Sequence, residues 1–275
     1  MKRVFAILAG ALVLLSLFVF FVEPLWMVPL LERMTPNILY RVRTEKPLVA
    51  LSFDDGPNPE FTPQVLGLLE EYDARATFFL IGERAERNPE LVRRILAEGN
   101  EVGNHWCRDG SVLLQPDKEF AEGLERTERA IGLAEGRKDN SRGPSGSSGR
   151  DRRQNLGGVE AAKATSSRRT PKFFRPPGGV ARPSQLRLAK ERGYTSVLGC
   201  AYPHDPMKMP VWYQRWLIEK NLAPGTIVIL HDGIKDPTRS IETLRHILAE
   251  GKRRGLKFVS IGELVDKGNG EAGRE

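Results

Sequence analysis

A chain of 275 residues, 40% of them hydrophobic, is long enough to fill a core and is not a disordered protein. Two cysteines, Cys107 and Cys200, exclude a disulfide scaffold and match no zinc-binding cysteine pattern, which leaves open one bridge or two buried thiols. The net charge of +7 would suggest a polyanion, but residues 136–171 hold nine Lys/Arg against three Asp/Glu and Lys2 with Arg3 add two more positive charges; the remainder is one charge negative, so nucleic acid is not an expected partner.

The chain opens with MKR and an uncharged run over residues 4–22, VFAILAGALVLLSLFVFFV, long enough to cross a bilayer as a helix. A cleaved signal peptide would have a shorter apolar core and a small-x-small site after it, and the following EPLWMVPLLERM has none. The expected organisation is a membrane anchor at residues 1–23, with Lys2 and Arg3 keeping the N-terminus in the cytoplasm and Glu23 on the far flank. A spacer at 24–45 then leads to a domain on the extracytoplasmic side.

From residue 46 to 266, short apolar runs alternate with amphipathic stretches of helical length. The strand-like runs are PLVALSF (47–53), ATFFLI (76–81), NEVGN (100–104), KFFR (172–175), YTSVLGC (194–200), TIVILH (226–231) and LKFVSI (256–261). Helices are expected over 62–73, 89–99, 117–133, 183–193, 211–221 and 240–255. Near-continuous apolar strands separated by helices mean a parallel sheet with helices outside it, and seven such units favour a barrel. Residues 136–171, rich in Gly, Ser and Arg with no aromatic side chain, read as a disordered surface insertion within the domain. Residues 267–275 read as a flexible tail.

In a parallel α/β barrel the functional loops follow the C-terminal ends of the strands. After LVALSF come Asp54 and Asp55; after NEVGN, His105 and Asp109; after KFF, Arg175 and PPGG; after YTSVLGCAY, His204 and Asp205; after TIVIL, His231 and Asp232. An Asp-Asp before Gly-Pro also forms turns, and a lone strand-end histidine is often only a hydrogen-bond partner. The gathering of three of the four histidines on one face carries the argument; His246, on a helix, reads as a surface residue. Such a face can hold one divalent cation through a carboxylate and His105 with a position open for water, while a second carboxylate serves as base and a separate histidine as acid.

Five segments, LSFDDGPNP, EVGNHWCRD, FFRPPGG, CAYPHDP and IVILHDG, in that order and at those separations, resemble the five motifs of the polysaccharide deacetylase family, the NodB-homology domain of carbohydrate esterase family 4. The resemblance covers about residues 46–265. It implies a distorted (β/α) barrel and a hydrolase that removes N-acetyl groups from an amino sugar, a GlcNAc unit of chitin, a chitooligosaccharide or peptidoglycan, with one divalent metal ion, zinc being the expected one. By position, Asp54 matches the family's general base and Asp55 its metal-binding aspartate. His105 matches the first metal histidine, and Asp109 stands where the family usually has the second. Arg175 matches the arginine that bonds the base, and the Gly178 N–H the oxyanion donor. His231 matches the general acid and Asp205 the carboxylate that tunes it.

The chain departs from the pattern in the fourth motif, where Pro206 replaces the usual tryptophan and leaves Met207, Met209 or Trp212 as candidates for the apolar wall. Two other readings compete with the N-deacetylase: a deacylase of a lipid-linked sugar, suggested by the anchor and short spacer, and a catalytically silent glycan-binding domain. A degraded Asp54, Arg175 or His231 would favour the last, and none is degraded.

Overall fold

All seven apolar runs become strands of one sheet. In chain order they are β2 (Leu48–Gly56), β3 (Ala76–Leu80), β4 (Glu101–Asn104), β5 (Phe173–Phe174), β6 (Thr195–Val197), β7 (Ile227–His231) and β8 (Lys257–Val259). The computed structural model describes residues 21–136, 173–233, 235–236 and 238–268, with residues 5, 10, 13, 16, 18 and 19 before them. Most of the apolar run at 4–22, the insertion after residue 136 and the tail after 268 therefore lie outside the described residues. Among the described residues, no helix is long and apolar enough to cross a membrane.

The segment read as a spacer is folded onto the domain. It contains a 3-10 turn (Leu25–Met27), helix α1 (Val28–Met34) and a short strand, β1 (Ile38–Leu39), that pairs in parallel with β6. The strand order is β1-β6-β5-β4-β3-β2-β7, with β8 beside β2, and every ladder is parallel. Isolated bridges from Ala201 to Val228 and from Arg41 to Thr226 draw the two ends of the curled sheet together. The result is a distorted half-barrel, closed by two bridges where a regular barrel would have a full ladder.

The six expected helices form, as α2 (Thr62–Glu71), α4 (Pro89–Ala97), α5 (Asp117–Ala134), α6 (Pro183–Glu191), α7 (Val211–Asn221) and α8 (Thr238–Arg253). Two more form, α3 (Gly82–Arg87), where the sequence assigned no element, and α9 (Ile261–Gly268), which starts at the end of the last strand-like run. Helix α5 illustrates why they form where they do. Asp117 and Glu119 sit in its first turn, where the helix dipole favours negative charge, and Phe120, Leu124 and Ile131 form the buried stripe. The core lies between sheet and helices, with Phe53 of β2 stacked on Phe78 of β3 at 5.1 Å between ring centres. Each such side chain contributes about 1.5–3 kcal/mol by leaving water.

One close contact fixes the loop after β4. Trp106 adopts a left-handed backbone (φ 64°), and its buried indole donates to the Phe120 carbonyl at 3.2 Å. A Cβ on Gly123 of α5 would overlap that indole, so only glycine lets the helix approach. Gly123→Ala should therefore destabilise the domain by about 1–3 kcal/mol, the usual cost of overpacking, read as a lowered Tm in thermal unfolding. An unchanged Tm would mean that the loop carrying Trp106 shifts freely.

Candidate active site

Consecutive residues on a regular strand point to opposite faces, so Asp54 and Asp55 could not share a site if β2 were regular. The register between β2 and β3 shifts between Asp54 and Gly56, and Asp55 takes φ 68°. This bulge re-aims the second carboxylate, and both aspartates line one cavity of about 670 Å³ at the C-terminal mouth of the sheet. His105, Asp109, Arg175, Gly178 and His231 line the same cavity.

Asp54 is buried and pairs with the buried Arg175, NH1 to Oδ1 at 2.6 Å. The same NH1 donates to Ser52 Oγ at 2.9 Å, and the guanidinium lies 4.1 Å from the centre of the Phe79 ring. Burial, opposed by the Asp54 charge, lowers the Arg175 pKa from its usual value. Arg175 NH2 is buried with no partner among the described residues.

His105 follows β4 directly. Its Nδ1 lies 2.9 Å from the Arg175 carbonyl oxygen, which can only accept, so Nδ1 carries a hydrogen and Nε2 is the nitrogen turned to Asp55. Nε2 faces Asp55 Oδ1 at 3.3 Å and donates to it when the ring carries a second hydrogen. Burial raises the Asp55 pKa, but the His105 hydrogen bond and charge, with His231 and Arg84, outweigh it and hold the carboxyl at about 2. A carboxylate and an imidazole whose far nitrogen is anchored by a carbonyl are a fitting donor pair for a divalent cation.

Asp109 is placed differently. Its Oδ2 accepts from Arg84 NH2 at 2.9 Å, and its side chain is 71% exposed. Arg84 also donates to the Asp55 carbonyl at 2.6 Å and to the Gly233 carbonyl, so it ties the three loops together. No group of three His, Cys, Asp or Glu side chains is gathered as a metal site among the described residues.

On the other side, Asp54 and His231 are register partners across the β2–β7 ladder. His231 Nδ1 bonds Asp205 Oδ1 at 2.9 Å, while Asp205 Oδ2 accepts from the His231 N–H at 2.9 Å and from Ser240 Oγ at 2.5 Å. Burial would lower the His231 pKa, but the Asp205 charge and hydrogen bond, helped by Asp54 and Asp55, push it up to about 9. Asp232, next in sequence, is fully buried with Thr62 Oγ1 donating to it, and burial pushes its carboxyl up to about 7. Gly178 sits in a 3-10 turn (Pro177–Gly179) at φ 66°, a conformation that favours glycine.

The family model for polysaccharide deacetylase matches residues 41–197. A peptidoglycan-N-acetylglucosamine deacetylase of Bacillus cereus is 34% identical over 84% of this chain and 94% of its own length. The chain is a polysaccharide deacetylase family member. Also similar is a chitooligosaccharide deacetylase of Sinorhizobium fredii, 32% identical over 70% of this chain and 75% of its own. A crystal structure of a peptidoglycan N-acetylglucosamine deacetylase superposes with a TM-score of 0.68 at 26% identity, covering 84% of this chain and 93% of that one. The family's strand-end motifs thus stand at one mouth of the half-barrel here.

Other sequence-level candidates fall elsewhere. Met207 and Trp212 are exposed and do not line the cavity, nor does Met209; Pro206 does. The apolar wall comes instead from Leu198, Cys200 and the segment after residue 18. His204, one of the three strand-end histidines, is buried against Glu23, Nε2 to Oε1 at 3.6 Å, and lines the cavity. His246 is half-buried and paired with Glu219. Cys107 and Cys200 are free and both buried, and burial raises both thiol pKa values.

Glu23, Tyr202 and Arg84 are site residues that sequence reasoning did not find. Glu23 accepts from the Tyr202 N–H at 2.8 Å, 179 residues away in the chain, and no local pattern signals that contact.

Proposed function

We propose that this chain is a metal-dependent N-deacetylase of GlcNAc-containing glycans, chitooligosaccharide or peptidoglycan, working outside the cytoplasmic membrane from an N-terminal anchor. One observation carries the catalytic reading: two hydrogen-bonded pairs, Asp54 with Arg175 and His231 with Asp205, stand side by side above the Asp55–His105 donor pair. The names of the relatives, a peptidoglycan and a chitooligosaccharide deacetylase, support the substrate class. The uncharged run at 4–22 and its basic flank support the anchor and its orientation.

Asp54, oriented by Arg175, takes the proton of the attacking water. Asp55 and His105, with Asp109 as the expected third ligand, would hold a divalent cation, zinc by its match to N and O donors, and that ion would supply Lewis acidity and a lowered water pKa. The Gly178 N–H, which matches the family's oxyanion donor and lines the same cavity, would stabilise the charge that develops on the carbonyl oxygen. His231, kept protonated by Asp205, donates to the leaving amine.

The test is acetate release by the full-length chain from chitin oligomers, peptidoglycan and acetyl-xylan, before and after chelation and metal restoration. Chelation should abolish release from the amide substrates and added zinc should restore it. If no acetylated glycan yields acetate with metal present, the chain is not an active deacetylase. Asp109→Ala should weaken zinc binding by about tenfold or more, the scale on which groups around a metal act, and Asp109→His should retain it. Zinc bound as tightly by Asp109→Ala as by wild type, in a competition titration with a chromophoric chelator, would leave Asp109 as Arg84's partner only.

A further inference from the structure

The cavity is larger and more apolar than removal of an acetyl group requires. It spans about 670 Å³, which would hold a sugar together with an acyl group larger than acetyl. Of its polar residues, Asp54, Asp55, Asp109 and His231 lie at the strand ends, while Glu23, Tyr202 and His204 stand beside the N-terminal segment. Ile229 shares the face of β7 that carries His231 and sits two residues, ~7 Å, further into the barrel. Leu198 and Cys200 continue that wall, and Val28 and Tyr40 pack on Cys200 from the N-terminal segment, with Leu31 and Leu198 only partly buried there.

The amide carbon must lie at the level of Asp54 and His231. The sugar is then on the open side, among polar groups, and the one substituent that can pass inward beyond the reacting atoms is the acyl chain. The deeper wall is also continuous with the end of the apolar run, because Val19, Pro24 and Met27 line it together with Val28. Tyr213 Oη donates to the Phe21 carbonyl at 2.7 Å and Asn221 Nδ2 to the Glu23 carbonyl at 3.2 Å, holding this segment against the barrel.

We propose that the site takes amino sugars whose N-acyl group is longer than acetyl, a fatty acyl chain that lies along Ile229, Leu198, Cys200 and the Val28 side of α1. The inference rests on the N-deacetylase reading above and extends its substrate class to N-acyl glycolipids. The reaction is an ordinary hydrolysis: the C–N amide bond breaks, the oxygen of water joins the acyl carbon, and a fatty carboxylate and a protonated amino sugar leave.

The experiment compares N-acetyl chitobiose, N-hexanoyl chitobiose and the octyl glycoside of N-acetylglucosamine as substrates of the full-length, metal-loaded chain. The expected result is a kcat/KM for N-hexanoyl chitobiose at least equal to that for the N-acetyl sugar. Val28→Trp, which fills the inner wall, should lower the hexanoyl-to-acetyl ratio by tenfold or more. Where Val28→Trp fails to fold, Met27→Phe on the same wall should move the ratio in the same direction. Acetate release with hexanoate release more than a hundredfold slower overturns the inference and leaves the deacetylase reading standing. A gain seen only with the octyl glycoside means that hydrocarbon enters as the aglycon, and it too overturns the inference. No release from any of the three sugars removes the hydrolase reading, and this inference with it.

Discussion

Asp54→Asn is expected to lower the rate of acetate release by about 10²–10⁴-fold, the range that a positioned general base contributes. Asparagine keeps the shape and can still accept the Arg175 NH1 hydrogen now shared at 2.6 Å, so the geometry of the loop should persist. What disappears is the ability to accept a proton from water. The charge also disappears, and that has a second consequence. Arg175 is buried and its NH2 already has no partner among the described residues, so neutralising Asp54 leaves a guanidinium without its counter-ion. Removing one partner of a buried pair costs about 3–5 kcal/mol, more than replacing both would. A Tm measured on the same preparation separates the two effects. A folded Asp54→Asn protein with activity within tenfold of wild type would remove Asp54 from the role of base.

The second large effect is on pH dependence. His231 is raised to about 9 because the Asp205 charge and its hydrogen bond to the ring outweigh the burial that alone would lower it. The imidazolium is thus the resident form at neutral pH, and kcat/KM should fall on the alkaline side as pH passes about 9. Asp205→Asn removes the charge and leaves the burial, so the alkaline limb should move down by roughly one pH unit or more, a change of ~1.4 kcal/mol per unit. Stability follows the same sign. The folded chain binds this proton more tightly than the unfolded one, so the stabilisation is complete below about 6.5 and is lost as pH rises through about 9. An alkaline limb that stays in place in Asp205→Asn would show that another group sets it.

The strand-end motifs were legible because β-periodicity and apolar runs are local properties. The runs at 47–53 and 226–231 correspond to β2 and β7, and the functional residues follow from where those runs stop. Less legible was the N-terminal segment. Residues 24–45 carry no long periodic pattern, yet they form α1 and β1, because Val28 and Leu31 find an apolar partner in Cys200 and Leu198 only after β6 is in place. Helix α3, at six residues, is too short for its GERAER pattern to stand out from a loop. Helix α9 starts at Ile261, which in sequence extends the apolar run of β8.

What the sequence determined by itself was the order of elements, the chemistry gathered at one end of the sheet and the family to which the chain belongs. Each depends on residue type and short spacing. The tertiary structure decided the rest: the bulge that turns Asp55 beside Asp54, the Arg84 bridge that holds Asp109, and the N-terminal wall that deepens the cavity. Those features join residues 25 to 198 positions apart, and a contact across such a distance is set by how the layers pack, which no local pattern encodes. In EVGNHWCRDG the sequence supplied both candidate ligands, His105 and Asp109. The fold set their partners, with a carbonyl anchoring the histidine and an arginine holding the aspartate.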